Sequence, residues 1–478
     1  MKTGIRLIPL LLTVLMLILI AACATATPTA PVATTAPSET TATAASALTM
    51  TTAAVTTAAG AAVGEPIEIS IIHRYLSANI GSQSEDTAVL TMIDEFKKDH
   101  PNVTIVEEQL QSDEYGVKAQ ALAAAGNITD VLTVPGAWME NFVGNELLLP
   151  MNDFFDKRPD LYEGYRPGSF DKGTLNGNIY GFPVAAGPVH LIFYNSKMLA
   201  DVGYDSFPRE WSEFESLLAD LKADEITPIG FGNKSNSYTQ YAWLSSLSDR
   251  MTGPEWTFSI CDGDGASFLD QPYIDALAYL DDWRAKGYFN VDLNSVDMDM
   301  ITQYYIEGKV AMFSDGIWAV QRVTSSVPEE LLGVTKLDFM PTPPGGKGNP
   351  RSSAGGAGVY YSVNKNVGST GTKFDTVMEL LEYMTAEGSA KIMASVGGFP
   401  AYDPIDFDRS GLPLLAQEAY DLCVEAPQTR IFDLWFDAAV VDVMNTSTQE
   451  MMAGAKTPAQ VAQDMQTEYE RYLNKRSS

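Results

Sequence analysis

The sequence predicts an α/β fold built as two sheet domains in one body. Three observations predict it. From residue 65 the chain alternates strand, helix, strand, helix, strand. The alternation begins again after residue 187. The stretch from Glu65 to Ser478 is long enough for two domains.

The elements follow in order. Residues 67–72 (IEISII) read as a buried strand. Residues 85–100 set Val89, Leu90, Met92, Ile93 and Phe96 at helical spacing, and Pro101 stops them. A second strand covers 103–106, a helix 113–125 ends at Gly126, and a third strand covers 131–134. Such an opening argues for a parallel sheet, whose ligands bind beyond the carboxyl ends of its strands. Those ends carry His73-Arg74-Tyr75, residues 107–111, and Pro135-Gly136-Ala137-Trp138.

Asn176-Gly177 is a two-residue hairpin signal. Residues 189–194 are a strand, and Ser196 caps a short helix ending at Gly203. Pro208 opens the helix of Trp211, Phe214, Leu217, Leu218 and Leu221. Strand 226–231 runs into Gly232-Asn233-Lys234-Ser235-Asn236, then a helix over 238–247. A helix over 273–283 precedes strand 310–313, which stops at Ser314-Asp315-Gly316 just before Trp318. Residues 341–356 are an irregular connection rich in Pro and Gly. Strand 359–363, helices 374–385 and 389–396, a turn at 397–400, and long helices over 431–452 and 457–473 complete the chain.

The N-terminus reads as a processing segment. Lys2 and Arg6 flank an apolar run over 8–20 that is short for a bilayer span, and Ile20-Ala21-Ala22-Cys23 closes it. Residues 1–22 are expected to be a signal peptide. The segment 23–64 is nearly all Ala, Thr, Pro, Val and Ser, with one charge at Glu39. It cannot bury enough apolar surface to offset the entropy of ordering, so it reads as a tether. Charge is strongly negative, 31 Lys+Arg against 61 Asp+Glu, which argues against nucleic acid and anionic lipid as partners. Beyond Cys23 only Cys261 and Cys423 remain, as a disulfide or as two buried thiols.

Catalytic motifs are missing. There is no His-Glu-x-x-His, no Gly-x-Ser-x-Gly and no phosphate-binding Gly-x-x-x-x-Gly-Lys-Ser/Thr, and the only His are His73, His100 and His190. Paired carboxylates still leave a glycoside-active enzyme open. Asp262-Gly263-Asp264-Gly265 lacks the closing Glu of a calcium loop and reads as a turn.

Five segments together carry a family resemblance: NIYGFPVAAGPVHLIFYNSKML with PREWSEF, GKVAMFSDGIWAV, SAGGAGVYYSVNKN, ASVGGFPAY and MMAGAKTPAQVAQDMQ. In this order they resemble the family 1 extracellular solute-binding proteins, sugar-binding lipoproteins of bacterial ABC importers related in fold to maltose-binding protein. The resemblance implies a two-lobed periplasmic-binding-protein fold of type II. Lobe one would be 65–186 plus 341–402, and lobe two 187–340 plus 403–478. It implies a sugar held between the lobes of a monomer, delivery to permease subunits, a lipid anchor on Cys23 at the membrane, no cofactor, no metal and no catalysis. The cleft candidates are then Asp315, Gly316 and Trp318, with Trp318 either a ligand wall or a core residue and Asp315 either an acceptor or a helix cap. Trp138, Asn233, Tyr238, Gln240, Gly355, Gly356, Phe399 and Trp435 join them. His73 and Arg74 stand where relatives often place neutral or aromatic residues, which leaves an acidic sugar or another solute open.

Overall fold

The computed structural model describes residues 65–404 and 406–476, which belong to one compact unit. The signal segment, the tether and Cys23 lie outside the described residues.

The first sheet has five strands in the order Val103–Gln109, Ile67–His73, Val131–Pro135, Val359–Val363, Phe182–Pro183. The first three are parallel, as the opening alternation predicts, and Val359–Val363 returns antiparallel to Val131–Pro135. Ser84–Asp99 packs under it with Thr372–Thr385 and Glu387–Ser395. The second sheet runs Thr335–Asp338, Leu191–Asn195, Val310–Asp315, Thr227–Gly230, with separate apolar cores on its two faces. Two lobes therefore exist, each a sheet flanked by helices.

The chain crosses between them near 185–188, 355–358 and 400. There Ala185 bridges Pro400 and Pro188 bridges Gly355. Gly355 has no room for a side chain: a Cβ would lie 2.6 Å from the Gly187 carbonyl oxygen. Residues 341–352, placed by sequence with lobe one, pack instead on the second sheet's helices. Arg250, fully buried, binds the carbonyls of Met340 at 2.6 Å, Pro350 at 3.2 Å and Ser352 at 2.7 Å. One guanidinium has five donors, enough to order a connection that has little regular structure of its own.

Three local readings change. Asn195, not Ser196, caps the helix Ser196–Asp201, accepting from the Lys197 and Met198 N–H groups. The helix expected over 431–452 is two, Phe432–Trp435 and Ala438–Met452. Asp437 breaks it by capping the second, accepting from the Ala439 and Val440 N–H groups at 3.1 Å each. The helix over 238–247 begins as a π-helix, Thr239–Leu244, before continuing as Ser245–Thr252. The Asn176-Gly177 turn has φ of 52° and 79°, the left-handed pair that a two-residue hairpin needs. Cys261 and Cys423 are both free and buried, in different cores.

Candidate functional site

A cavity of about 450 Å³ opens between the lobes. Lobe one supplies the loop after Ile67–His73 and the start of Ser84–Asp99, with Arg74, Tyr75, Asn79, Gln83, Glu85 and Asp86. The facing wall is Ser237, Tyr241, Ile317, Trp318, Ile431 and Asp433. Gly187, Gly356 and Gly358 bring bare backbone to the floor.

Trp318 follows the strand that ends in Ser314-Asp315-Gly316. It is half-buried and stands at the N-terminal end of the helix Ala319–Ser326. Its ring folds back over Gly316, where a Cβ would come within 2.2 Å of it. Glycine at 316 is therefore what lets the indole lie flat as a wall. Tyr241 stands beside it, ring centroids 6.0 Å apart. Asp315, 1% exposed, points the other way. It forms an ion pair with Arg322 and accepts from the Gly316 N–H at 2.8 Å.

The other predicted residues are placed as follows. Arg74 lines the cavity, but His73 is fully buried behind it, 3.5 Å from Glu107. Burial would raise the Glu107 carboxyl, yet the hydrogen bonds from His73 and Gln109 hold it down at about 2. Alternation along a strand sends neighbours to opposite faces, so only one of the pair can face the cleft. Trp138 stacks between Tyr115 and Phe142 against lobe one's core. Asn233, Tyr238 and Gln240 are buried: Asn233 binds Asn294 at 2.9 Å, Tyr238 donates to the Ser314 carbonyl at 2.6 Å, and Gln240 donates to Ser245 at 2.9 Å. Phe399 is buried under the Arg166 guanidinium, 4.2 Å from its ring centroid.

Gly356 lines both this cavity and a second one of about 190 Å³, which also includes Gly355 and Trp435. Trp435 carries two cations on its ring. The Arg430 guanidinium lies 3.6 Å and the Lys172 ammonium 4.2 Å from its ring centroid.

Sequence reading missed Tyr241, Glu85 and Asp433. The π-turn explains the first. The extra residue in that turn moves Tyr241, rather than Tyr238 or Gln240, to the cleft. The structure makes up for the irregular turn with His190, whose Nδ1 lies 2.6 Å from the Ala242 carbonyl oxygen, and with the Ser314 hydroxyl, which donates to the same oxygen at 2.9 Å. Burial, with the Arg250 charge, holds His190 down to about 3, so it is neutral and donates from Nδ1.

The carboxylates are electrostatically unusual. Burial pushes Asp433 up to about 6, against the lowering influence of Arg74. Burial also raises Glu85, again against Arg74. Neither group sits at its ordinary value, and both face the cavity.

Two comparisons with known proteins agree with this geometry. The profile of the family described as bacterial extracellular solute-binding protein matches residues 81–391. A structure from work on xylan utilization by the thermophilic bacterium Caldanaerobius polysaccharolyticus is similar at 24% identity, covering 84% of this chain and 99% of its own, with a TM-score of 0.73. A chitin oligosaccharide binding protein is similar at 22% identity, 86% and 99% coverage, and a TM-score of 0.75. The sugar-binding protein MalE of Xanthomonas citri is similar at 20% identity, 86% and 98% coverage, and a TM-score of 0.62.

Proposed function

The chain belongs to the bacterial extracellular solute-binding protein family, and from that premise we propose that it captures an oligosaccharide between its lobes and delivers it to the permease of an ABC importer. The observation that carries the reading is the interlobe cavity itself. It joins an aromatic wall, Trp318 and Tyr241, to convergent polar groups on the opposite lobe. An aromatic face suits the apolar C–H face of a sugar ring, and carboxylates, amides and a guanidinium suit its hydroxyls. Neighbours of the same fold that are described as binding chitin oligosaccharide and sugar support the class of ligand. The mechanism is a shift of population. A ligand that touches both walls at once binds the closed arrangement better than the open one and so draws the lobes together.

The anchoring belongs to the same proposal. The basic flank, apolar run and Ile20-Ala21-Ala22-Cys23 make Cys23 the lipidated residue that ties the body to the outer face of the membrane. Among the described residues no helix is long and apolar enough to cross a membrane. The protein acts as a monomer, because one chain supplies both walls.

The test is ligand-dependent melting across a panel of oligosaccharides, with the same mixtures analysed for new products. A ligand that binds only the folded state raises the melting temperature, by mass action. The expected result is a rise with at least one oligosaccharide and no product. A new product would move the protein to the glycoside-active enzymes. A panel that raises nothing would remove carbohydrate as the ligand.

A further inference from the structure

The second cavity lies on the other side of the crossing from the first. Ala185 and Gly187 line the first, while Ala186 between them lines the second. Gly358 lines the first, while Gly355 and Ala357 line the second. In extended backbone successive residues face opposite sides, so the crossing separates the two spaces. The short helix Phe432–Trp435 is shared in the same way, with Asp433 on the first cavity and Trp435 on the second. Like the first, the second cavity has a wall from each lobe. Ser169 and Lys172 flank Phe170 of the first sheet's core, and Arg430 stands opposite with Trp435, which packs on the second sheet's core.

Lys172 reaches across this second space. Its ammonium lies 4.2 Å from the centroid of the Trp435 ring and donates to the Trp435 carbonyl at 3.4 Å. Both ends of the contact are fixed. Lys172 packs so closely on Gly136 that a Cβ there would lie 2.8 Å from the Lys172 Cβ. The Trp435 ring carries the Arg430 guanidinium at 3.6 Å. Arg430 in turn donates to Asp262 at 2.5 Å and to the Phe258 carbonyl at 3.2 Å, and lies 4.5 Å from the Phe258 ring centroid. Phe258 and Asp262 both belong to the helix Pro254–Asp262, so the ring is a plate held from its own lobe.

We propose that Lys172 and Trp435 form a brace behind the hinge that holds the lobes open, so that ligand must break it to close the cleft. Rotation about the crossing that brings the walls of the first cavity together moves the walls of the second apart, and Lys172 is then drawn off the ring. The inference rests on the closure proposed above and not on what the ligand is. A cation on an aromatic face shifts such an equilibrium by a small factor, and apparent affinity falls by the fraction of free protein kept from the binding-competent form. The brace thereby sets how much ligand is needed before the lobes close, without touching the ligand.

The test places spin labels on the purified protein at Glu114→Cys and Ser235→Cys, exposed positions two residues from Ser112 and Ser237 on the facing walls of the first cavity. Cys23 is replaced by Ser, and the buried Cys261 and Cys423 are shielded from the label. Pulsed electron paramagnetic resonance reads the distance between labels without ligand, with Lys172 intact, as Lys172→Met and as Lys172→Arg. Met keeps the stem and removes the charge. Lys172→Met should raise the ratio of short to long distances about two- to fivefold at an unchanged melting temperature. Lys172→Arg, which keeps the cation, should leave that ratio near its starting value. The oligosaccharide that the melting panel identifies should shorten the distance with Lys172 intact, and should bind Lys172→Met tighter by up to the same factor. An unchanged or longer distribution in Lys172→Met overturns this inference alone. A bound oligosaccharide that leaves the distance unchanged overturns closure, and the brace falls with it.

Discussion

At the scale of residues, the neighbours in Ser314-Asp315-Gly316 and Trp318 have opposite roles. Asp315 and Arg322 form a pair whose side chains are 1% and 10% exposed. Arg322→Met removes the partner and leaves a buried carboxylate held by one N–H. The expected cost is about 3–5 kcal/mol of stability, with ligand affinity of the folded fraction unchanged. Chemical denaturation and calorimetry on the same protein check it, and the pair Asp315→Asn with Arg322→Met should recover much of the loss. Asp433 gives a pH prediction whose sign is fixed by its raised folded value. The folded state binds the proton more tightly than the unfolded chain, so the stability from this group is present below about 4 and lost as pH rises through about 6. Asp433→Asn should therefore stabilise the free protein near neutral pH, by about 1–2 kcal/mol once partial exposure is discounted, and flatten that slope in a melting series across pH. Stability given up at a site is common where the site awaits a ligand.

At the scale of elements, the π-turn Thr239–Leu244 sets what the second lobe offers to the cleft. Its irregular carbonyl at Ala242 is held by His190 and Ser314. His190→Leu removes one of those donors at a buried site, so stability should fall by about 1–3 kcal/mol. Affinity should fall too, because Tyr241 loses the support that aims it; parallel melting and binding measurements check both. The first sheet was legible in sequence because its strands and helices alternate cleanly and its strands are apolar runs. The candidate residues after Thr227–Gly230 were less so. Asn233, Tyr238 and Gln240 look like cleft residues because they are polar and follow a strand. They turn inward onto buried partners, Asn233 onto Asn294 and the Thr239 N–H, Tyr238 onto the Ser314 carbonyl and Gln240 onto Ser245, and no local pattern announces those partners. The break at Asp437 was hidden in the same way, since the apolar spacing runs on through it. The pairing of Ser353–Gly355 with Gln428–Arg430 joins segments too far apart for any local signal.

At the scale of the whole molecule, the proposed action is closure of two lobes on a sugar. Contacts already span them: the Thr87 hydroxyl reaches Gln321 at 3.3 Å, and Arg166 donates to the Tyr420 hydroxyl at 2.9 Å. The crossing near Gly355 is tightly built, which confines motion to a hinge rather than a general loosening. Small-angle scattering of the protein without and with a saturating oligosaccharide should show a smaller radius of gyration with ligand. An increase would contradict closure. The family and fold were legible at this scale because five ordered segments fix the topology, while the lining of the cavity was not, since Arg74, Tyr241 and Asp433 are brought to one cavity only by the fold.

The central claim, a sugar stacked on the wall of this cleft, is tested most directly by the affinity of Trp318→Ala for the oligosaccharide that the melting panel identifies. Trp318 is half-buried, so the variant should fold with little change in melting temperature. Its binding should weaken by about 2–4 kcal/mol, roughly thirty- to thousandfold. A large fall in melting temperature with unchanged affinity in the folded fraction would contradict the account and make Trp318 a core residue.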